Sequence, residues 1–288
     1  MPNSNVSGKT QICGLIGDPV EHSISPAMQN ASFRKLGLDY IYLPFRVAKE
    51  NVGAAIAGMR ALNMRGLNVT IPHKLAVIPY LDRVDDLAEK IGAVNTIVND
   101  NGVLTGYNTD SAGFLRALIE TGVDPKGKNV VVVGAGGAAR GIVFALIGNS
   151  AKLTVVNRTL TRAEELARRA REVFGRAPRV SPLSRPDLAA LVKEADIVVN
   201  TTNVGMHPAE GESPVPCELL RPGLTVYDIV YNPIKTRLLR DAEAAGAKTI
   251  GGVDMLVWQG ALAFEKWTGH EALVEVMKEE AIRQLRRG

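Results

Sequence analysis

The fold of this protein is decided by residues 128–162, which read KNVVVVGAGGAARGIVFALIGNSAKLTVVNRTLTR. Residues 129–133 are rich in β-branched side chains, which predicts a short buried strand of a parallel sheet. A glycine turn follows, then an apolar helix, and residues 153–156 predict a second strand. This strand–turn–helix–strand order is typical of a Rossmann-like, doubly wound sheet.

The glycine turn predicts a dinucleotide site. Gly134, Gly136 and Ala139 stand at G-x-G-x-x-A spacing. The first glycine permits the tight turn, the second lets the backbone approach a pyrophosphate, and the alanine lets the helix pack closely on the strand. A glycine triplet alone also fits a flexible loop, but the flanking strands and helix favour the phosphate-binding interpretation.

The end of the second strand predicts which cofactor binds. An NAD site places Asp or Glu there to hold the ribose hydroxyls, whereas this chain has Asn157, Arg158 and Thr159, with Arg162 one turn later. A carboxylate would repel a 2′-phosphate, and guanidinium groups suit one, so NADP is expected. Thr159 or Thr161 can also serve as the N-cap of the next helix, and the two roles are compatible.

Composition limits the class of protein. At 288 residues the chain is long enough for two domains, and its 46% hydrophobic and 22% charged content is typical of a globular protein in water. Arginines in residues 158–179 alternate with glutamates at helical spacing, which argues against a nucleic-acid surface. No apolar run approaches a membrane span, and the polar N-terminus has no signal core. Cys13 and Cys217 show no metal spacing, so reduced thiols and a cytoplasmic location are expected.

Polar groups follow several predicted elements of the first half. Ser23 and Ser25 precede a helix, where Ser25 can be a cap or a ligand for a carboxylate. A strand over residues 66–69 runs into a turn with Thr70 and Lys74, at the strand end where open α/β sheets bind ligands. Lys74 alone would be an ordinary surface lysine. Asp110 precedes a helix and is most simply an N-cap. Residues 82–91 are expected to be one helix.

The order of elements predicts an α/β protein with three parts. Residues 1–121 would form a substrate-binding and catalytic domain, residues 122–252 the nucleotide-binding domain, and residues 253–288 two closing helices.

Seven motifs in this order resemble the shikimate dehydrogenase family over almost the full chain. They are SISP at 23–26, NVTIPHK at 68–74, GAVNT at 92–96, NTD at 108–110, GAGGA at 134–138, NRT at 157–159 and MLVWQ at 255–259. The resemblance implies a mixed sheet in the first domain, with the last helices returning to that domain. It implies NADPH-dependent reduction of 3-dehydroshikimate to shikimate, in the biosynthesis of chorismate and the aromatic amino acids.

The resemblance also implies roles for individual residues. Lys74 and Asp110 would be the catalytic pair and would also bind substrate. The other substrate ligands would be Ser23 and Ser25 on the carboxylate with Tyr231, and Thr70, Asn95 and Gln259 on the ring hydroxyls. The cofactor would be held by Gly134, Ala135, Gly136, Gly137 and Ala138 at the pyrophosphate, by Asn157, Arg158, Thr159, Leu160, Thr161 and Arg162 at the adenosine phosphate, and by Asp86, Ile229 and Gly252 elsewhere. The family commonly has Met where Ile229 stands, and an apolar wall survives that change.

Three alternatives remain open at this point. A quinate/shikimate dehydrogenase often accepts NAD, but its usual acidic residue after the second strand is missing here. An unrelated NADP oxidoreductase would share only the nucleotide-binding half, and the motifs of the first half argue against it. A ligand-sensing regulator would not need both Lys74 and Asp110. The resemblance leaves monomer and homodimer both open.

Overall fold

The computed structural model describes residues 6–149 and 151–287, which divide into two compact units. The first unit contains the described residues up to Thr109 together with those from Val257 onward, and the second unit is Asp110–Leu256. The predicted functional domains, with limits at 121/122 and 252/253, remain a prediction.

The first unit combines strands with helices. In chain order they are β1 (Gln11–Gly17), α1 (Ser25–Lys35), β2 (Tyr40–Arg46), α2 (Val52–Ala61), β3 (Gly66–Val69), β4 (Arg83–Val84), α3 (Asp86–Ile91), β5 (Thr96–Asp100) and β6 (Val103–Tyr107). The six strands form one sheet in the order β2-β1-β3-β5-β6-β4. β1 pairs in parallel with β2 and β3, whereas β5 pairs antiparallel with β3 and β6. The predicted mixed sheet is therefore confirmed.

The second unit holds the other sheet. Its elements are α4 (Asp110–Glu120), β7 (Asn129–Val133), α5 (Gly137–Gly148), β8 (Lys152–Asn157), α6 (Leu160–Phe174), β9 (Arg179–Pro182), α7 (Arg185–Glu194), β10 (Ile197–Asn200), β11 (Thr225–Asp228), α8 (Arg237–Ala244) and β12 (Lys248–Ile250). The strand order is β12-β11-β10-β7-β8-β9, and all pairs are parallel. This is the order of a doubly wound dinucleotide-binding sheet, so the predicted Rossmann-like fold is confirmed.

Two helices close the chain, α9 (Gly252–Thr268) and α10 (Val274–Leu285). The end of α9 packs on the sheet of the first unit, where the Trp267 indole donates to the Ile97 carbonyl at 3.0 Å. A Cβ atom on Gly66 would lie 2.0 Å from that indole nitrogen, so β3 needs glycine there. The Arg65 guanidinium donates to the Trp267 carbonyl at 2.7 Å and satisfies a free helix-end acceptor. α10 packs on α1. The predicted return of the last helices is confirmed.

The prediction of one helix over residues 82–91 is wrong in its first part. Arg83–Val84 forms the edge strand β4, which pairs with Thr105 and Gly106 of β6. The helix α3 begins only at Asp86, after the Asp85 carboxylate caps it by accepting from the Leu87 N–H. A strand of two residues is too short to show a period in the sequence. It forms because a neighbouring strand pairs with it.

Each unit has its own apolar core. Ile56, Met59 and Leu67 belong to a buried cluster in the first unit, and Val133, Val198 and Leu238 belong to one in the second. Among the described residues, no helix is both long and apolar enough to cross a membrane.

Candidate active site

The glycine turn after β7 has the backbone that the sequence predicts. Gly134 lies at φ +114°, a region that side chains disfavour. A Cβ atom there would also lie 2.5 Å from the Thr201 hydroxyl oxygen. That hydroxyl donates to the Val133 carbonyl at 2.8 Å, so the β10 end packs directly on the turn. Both conformation and packing therefore require glycine at position 134.

The start of α5 has no side-chain cap and borders open space. Gly136 is the N-cap, and no side chain caps the helix. A Cβ atom on Gly136 would meet nothing within 4 Å, so open space borders the first turn. Ala139 is fully buried against the unit's interior. The N–H groups of Gly137 and Ala138, with the positive end of the helix dipole, are available for a pyrophosphate.

Two cationic side chains lie at the start of α6. Arg158 and Arg162 are exposed, and neither forms an ion pair with any residue in the described part of the chain. Thr159 occupies the N-cap position, but its hydroxyl makes no capping hydrogen bond. The Asn157 amide donates to the Thr159 carbonyl at 2.8 Å and shapes the turn. Leu160 and Thr161 begin α6 and are exposed. This segment can accept a doubly charged phosphate, as predicted for NADP.

The other predicted cofactor ligands lie in different places. Ile229 follows β11, and its N–H donates to the Asn200 carbonyl at 3.2 Å. Gly252 begins α9 against the Ile229 carbonyl. Asp86, in contrast, belongs to the first unit, where it is exposed at the start of α3.

The segment that carries Lys74 is a turn and not a helix. His73 is fully buried, and its Nε2 lies 2.6 Å from the Val47 carbonyl oxygen. Because a carbonyl can only accept, Nε2 carries the proton. The Thr70 N–H donates to Ile16 at 2.9 Å, which extends the β1–β3 pairing by one bond. Lys74 is half-buried, and its carbonyl accepts from the Val94 N–H at 2.8 Å.

Among the predicted substrate ligands, Asn95 has a side-chain orientation that its hydrogen bonds fix. Its Oδ1 accepts from the Thr109 N–H at 2.7 Å. A backbone N–H only donates, so the orientation of the amide follows from this contact. Its Nδ2 then donates to the Thr109 hydroxyl at 2.9 Å and lies 3.4 Å from the Gln259 Oε1. Asp110, 4% exposed, follows Thr109 directly as the first residue of α4.

Two hydrogen bonds thus connect the segment Val94–Asn95 to its neighbours. One joins the Lys74 carbonyl to the N–H of the residue before Asn95, and the other joins Asn95 to the residue before Asp110.

The two serines stand at the start of α1. The N-cap of that helix is Ile24, which makes no side-chain hydrogen bond, so the alternative in which Ser25 caps the helix is wrong. Ser25 is buried, and its N–H donates to the Ser23 hydroxyl at 3.3 Å. Neither serine hydroxyl caps α1, which is compatible with a ligand-binding role.

Sequence reasoning missed a polar network at the ends of β10 and β11. Asn200 and Asp228 are register partners in these strands, and the Asn200 amide donates to the Asp228 carboxylate at 2.9 Å. Burial raises the pKa of Asp228 to about 6. Both are polar residues at the carboxyl end of a short apolar run, which was the available signal. Burial also raises the pKa of nearby Tyr231 above its usual range.

Each unit therefore gathers one set of predicted residues. The first contains Ser23, Ser25, Thr70, Lys74, Asn95 and Gln259, and also Asp86; the second contains Asp110, Tyr231 and the remaining cofactor ligands. The hydroxyls, amides and lysine of the first unit suit a small polyhydroxy carboxylate, and the glycine turn and exposed arginines of the second suit a phosphorylated dinucleotide.

Comparison with known proteins gives matches along almost the whole chain. The family model described as "Shikimate dehydrogenase substrate binding domain" matches residues 15–97. The model "Shikimate / quinate 5-dehydrogenase" matches residues 117–209. The model "Shikimate 5'-dehydrogenase C-terminal domain" matches residues 252–282.

Individual relatives agree with these models. A curated protein from Geobacillus kaustophilus, named Shikimate dehydrogenase (NADP(+)), is 51% identical over 279 residues, which cover 96% of this chain and 99% of that protein. A crystal structure of a shikimate dehydrogenase in complex with NADP+ superposes with a TM-score of 0.93 at 44% identity, covering 99% of both chains. The Thermus thermophilus enzyme in complex with NADP(H) and shikimate has a TM-score of 0.86 at 40% identity, covering 95% of this chain and 99% of that one.

Proposed function

This chain belongs to the shikimate dehydrogenase family, and on that premise we propose that Lys74 and Asp110 form its catalytic pair. Its activity is the reversible, NADPH-dependent reduction of 3-dehydroshikimate to shikimate, in the biosynthesis of chorismate and the aromatic amino acids. The observation that carries the assignment of the pair is that Val94 and Asn95, adjacent in the chain, bond to the Lys74 carbonyl and to the N–H of Thr109, the residue before Asp110.

The reaction needs a proton donor beside the carbonyl that is reduced. NADPH, when bound, supplies a hydride but not that proton. Negative charge develops on the carbonyl oxygen during hydride transfer, and an ammonium both stabilises this charge and donates the proton. Lys74 takes this role. Asp110 accepts a hydrogen bond from the neighbouring substrate hydroxyl and orients Lys74.

The substrate ring is recognised by neutral polar groups of known orientation. Asn95 is oriented to donate to a ring hydroxyl, because its Oδ1 already accepts from the Thr109 N–H and, at 3.1 Å, from the Thr96 hydroxyl. Gln259, 3.4 Å from the Asn95 amide, and Thr70, at the end of β3, bind further hydroxyls. Ser23, Ser25 and the Tyr231 phenol bind the carboxylate. The position of both serines beside an uncapped helix start supports their part of this assignment.

The residues present fit NADP. The open space at Gly136 and the uncapped α5 start leave room for the pyrophosphate. Arg158 and Arg162 would hold the 2′-phosphate, in the turn that the Asn157–Thr159 hydrogen bond shapes. Ala135, Leu160 and Thr161 line the same two turns. Ile229 forms an apolar wall for the nicotinamide, and Gly252 lets α9 approach that wall. We assign Asp86 to the cofactor as well, on the resemblance alone.

A quinate-oxidising activity is the second candidate, because one matching family model includes quinate dehydrogenases in its description. The residues after β8 disfavour an NAD-dependent version, because no carboxylate follows that strand. The test is a spectrophotometric assay of the purified enzyme with shikimate and quinate, each against NADP and NAD. We expect the highest kcat/KM for shikimate with NADP. A higher value for quinate with NAD would replace this assignment with the second candidate.

We also propose a cytoplasmic location. Cys13 is buried, and that burial raises the pKa of its thiol, while Cys217 is exposed; both thiols are free.

A further inference from the structure

The Asp228 carboxylate is fully buried at the end of β11 and accepts three hydrogen bonds. Its Oδ1 accepts from the Asn200 amide at 2.9 Å and from the Val230 N–H at 3.1 Å. Its Oδ2 accepts from the Thr236 hydroxyl at 2.7 Å. All three partners are neutral donors, so the site is built for a group that only accepts, which an ionised carboxylate does.

These bonds close a loop that carries proposed site residues. Asp228 and Thr236 are the two ends of the segment 228–236, and their side chains join them. Ile229 and Tyr231 lie within this segment. The Thr236 hydroxyl also caps α8 by accepting from the Leu239 N–H at 3.3 Å, so the loop is anchored to a helix at one end and a strand at the other.

The same carboxylate also reaches the neighbouring strand. Asn200 donates to Asp228 with its Nδ2, while its Oδ1 accepts from the N–H of Thr202 at 3.0 Å and from the hydroxyl of Thr202 at 2.7 Å. One buried acceptor therefore orders the segments after both β10 and β11. Ligands of doubly wound sheets bind at this carboxyl edge.

We propose that Asp228 is a positioning residue for the reaction, which holds the backbone that carries Ile229 and Tyr231. The proposal rests on the roles proposed above for those two side chains. Asp228 itself touches neither substrate nor cofactor.

Stability alone does not account for a carboxylate at this place. A buried carboxylate with only neutral partners costs stability when it is ionised, and burial raises the pKa of Asp228 to about 6. At neutral pH the group is nevertheless ionised, and it then accepts from three donors at once. An asparagine amide has one acceptor oxygen and one donor nitrogen, so it cannot accept from all three donors. What the carboxylate supplies is a fixed loop geometry.

The test compares three variants of the full-length enzyme. Asp228→Asn removes one acceptor, Thr236→Val removes the donor to Oδ2, and Thr236→Ser restores that donor. KM for shikimate, KM for NADP, kcat and the melting temperature are measured for each. We expect Asp228→Asn and Thr236→Val to raise KM for shikimate, or for NADP, roughly 5- to 10-fold, the effect of losing one hydrogen bond. Thr236→Ser should stay near the wild-type values.

Asp196→Asn is the matched control. Asp196 precedes β10 at the opposite edge of the same sheet, and its carboxylate accepts from the Asn129 N–H at 2.8 Å. Its variant should leave both KM values unchanged. The proposal is overturned if Asp228→Asn and Thr236→Val lower only the melting temperature, or if Thr236→Ser behaves like Thr236→Val.

Tyr231→Phe separates this proposal from the proposed function. An unchanged KM for shikimate in that variant would show that Tyr231 does not bind the substrate, but it would leave the proposal for Asp228 intact. The effect of Asp228→Asn would then be expected in the KM for NADP, through Ile229. If Tyr231→Phe does raise KM, the Asp228→Asn effect on KM for shikimate should shrink in its background, as expected for two residues that act through one contact. An undiminished effect there, with KM for NADP unchanged, would contradict the proposal.

Discussion

A Cβ atom on Gly252 would lie 2.3 Å from the carbonyl oxygen of Ile229. The neighbouring Gly251 is less constrained, since its Cβ would lie 3.6 Å from the nearest atom, the Ile234 carbonyl oxygen. Neither glycine has a positive φ. The two adjacent glycines therefore differ in packing. Only Gly252, in the first turn of α9, has no room for a Cβ atom.

We predict that Gly252→Ala displaces the Ile229 backbone, because a contact of 2.3 Å with a backbone oxygen cannot be relieved by a side-chain rotation. The expected cost in unfolding free energy is about 1–3 kcal/mol, as for other overpacked sites, with a raised KM for NADP. Gly251→Ala is the control and should change neither quantity appreciably. Equal effects of the two substitutions on KM for NADP would show that the Gly252 contact is not special.

The second prediction concerns the proton donor. Lys74→Met keeps the length of the side chain and removes its charge, so kcat should fall roughly 10²- to 10⁴-fold, the range for a general acid–base group. Substrate binding should change less. Asp110→Asn should also lower kcat, and the double variant should lose less than the product of the two single losses.

The control for this prediction is Lys35→Met, at the exposed end of α1. Like Lys74→Met, this substitution removes one positive charge from the first unit, but Lys35 lies outside the turn that carries Lys74. Near-normal kcat in a folded Lys74→Met enzyme would show that the proton comes from another group, such as water or Tyr231.

The third prediction concerns the choice of cofactor. Arg158→Ala removes an exposed guanidinium that has no ion-pair partner in the described part of the chain. Loss of its bond to the 2′-phosphate should raise KM for NADP roughly 10- to 100-fold, since a hydrogen bond to a charged group contributes about 1.5–3 kcal/mol. KM for NAD should change little. Arg168→Ala serves as the control, because Arg168 is also an exposed arginine of α6 but pairs with Glu172 at 2.5 Å. A parallel rise in KM for NADP and for NAD would contradict the assignment.

The fourth prediction concerns pH and stability. The pKa of Asp228 is raised by burial from its ordinary 3.8 to about 6 in the folded protein, so the native state binds this proton more tightly than the unfolded chain. The resulting stabilisation is fully present below the unfolded-state pKa and is lost as pH rises through about 6. Its size is about 3 kcal/mol, because a tenfold change in proton affinity corresponds to about 1.4 kcal/mol.

Asp228→Asn removes this titration, so urea unfolding of both proteins from pH 4 to pH 8 measures it directly. The variant should gain stability relative to the wild type as pH rises, mainly between pH 4 and pH 6. Asp124→Asn, an exposed carboxylate, should show no such trend. A constant difference between wild type and Asp228→Asn across the range would show that the carboxylate does not titrate there.

The local sequence pattern was enough to predict elements whose conformation depends on their own residue types. The strand predicted over 129–133 is β7 with the same limits, and the glycine turn after it has the positive φ that its residue types permit. The pattern was not enough where contacts with residues distant in sequence determine the secondary structure. Arg83–Val84 is a strand because Thr105 and Gly106 pair with it, and Ser25 does not cap α1 because the helix begins one residue earlier than expected.

By itself, the sequence determined the α/β class, the Rossmann-like half, the preference for NADP and the family, because each depends on residue types at fixed local spacing. Only the tertiary structure decided which polar groups meet. Asn200 and Asp228 are adjacent because β10 and β11 pair in one register, and Asn95 and Gln259 approach to 3.4 Å because α9 packs on the first unit. Polar contacts depend on distances of a few ångströms between atoms, and sequence spacing does not specify such distances for residues on separate elements.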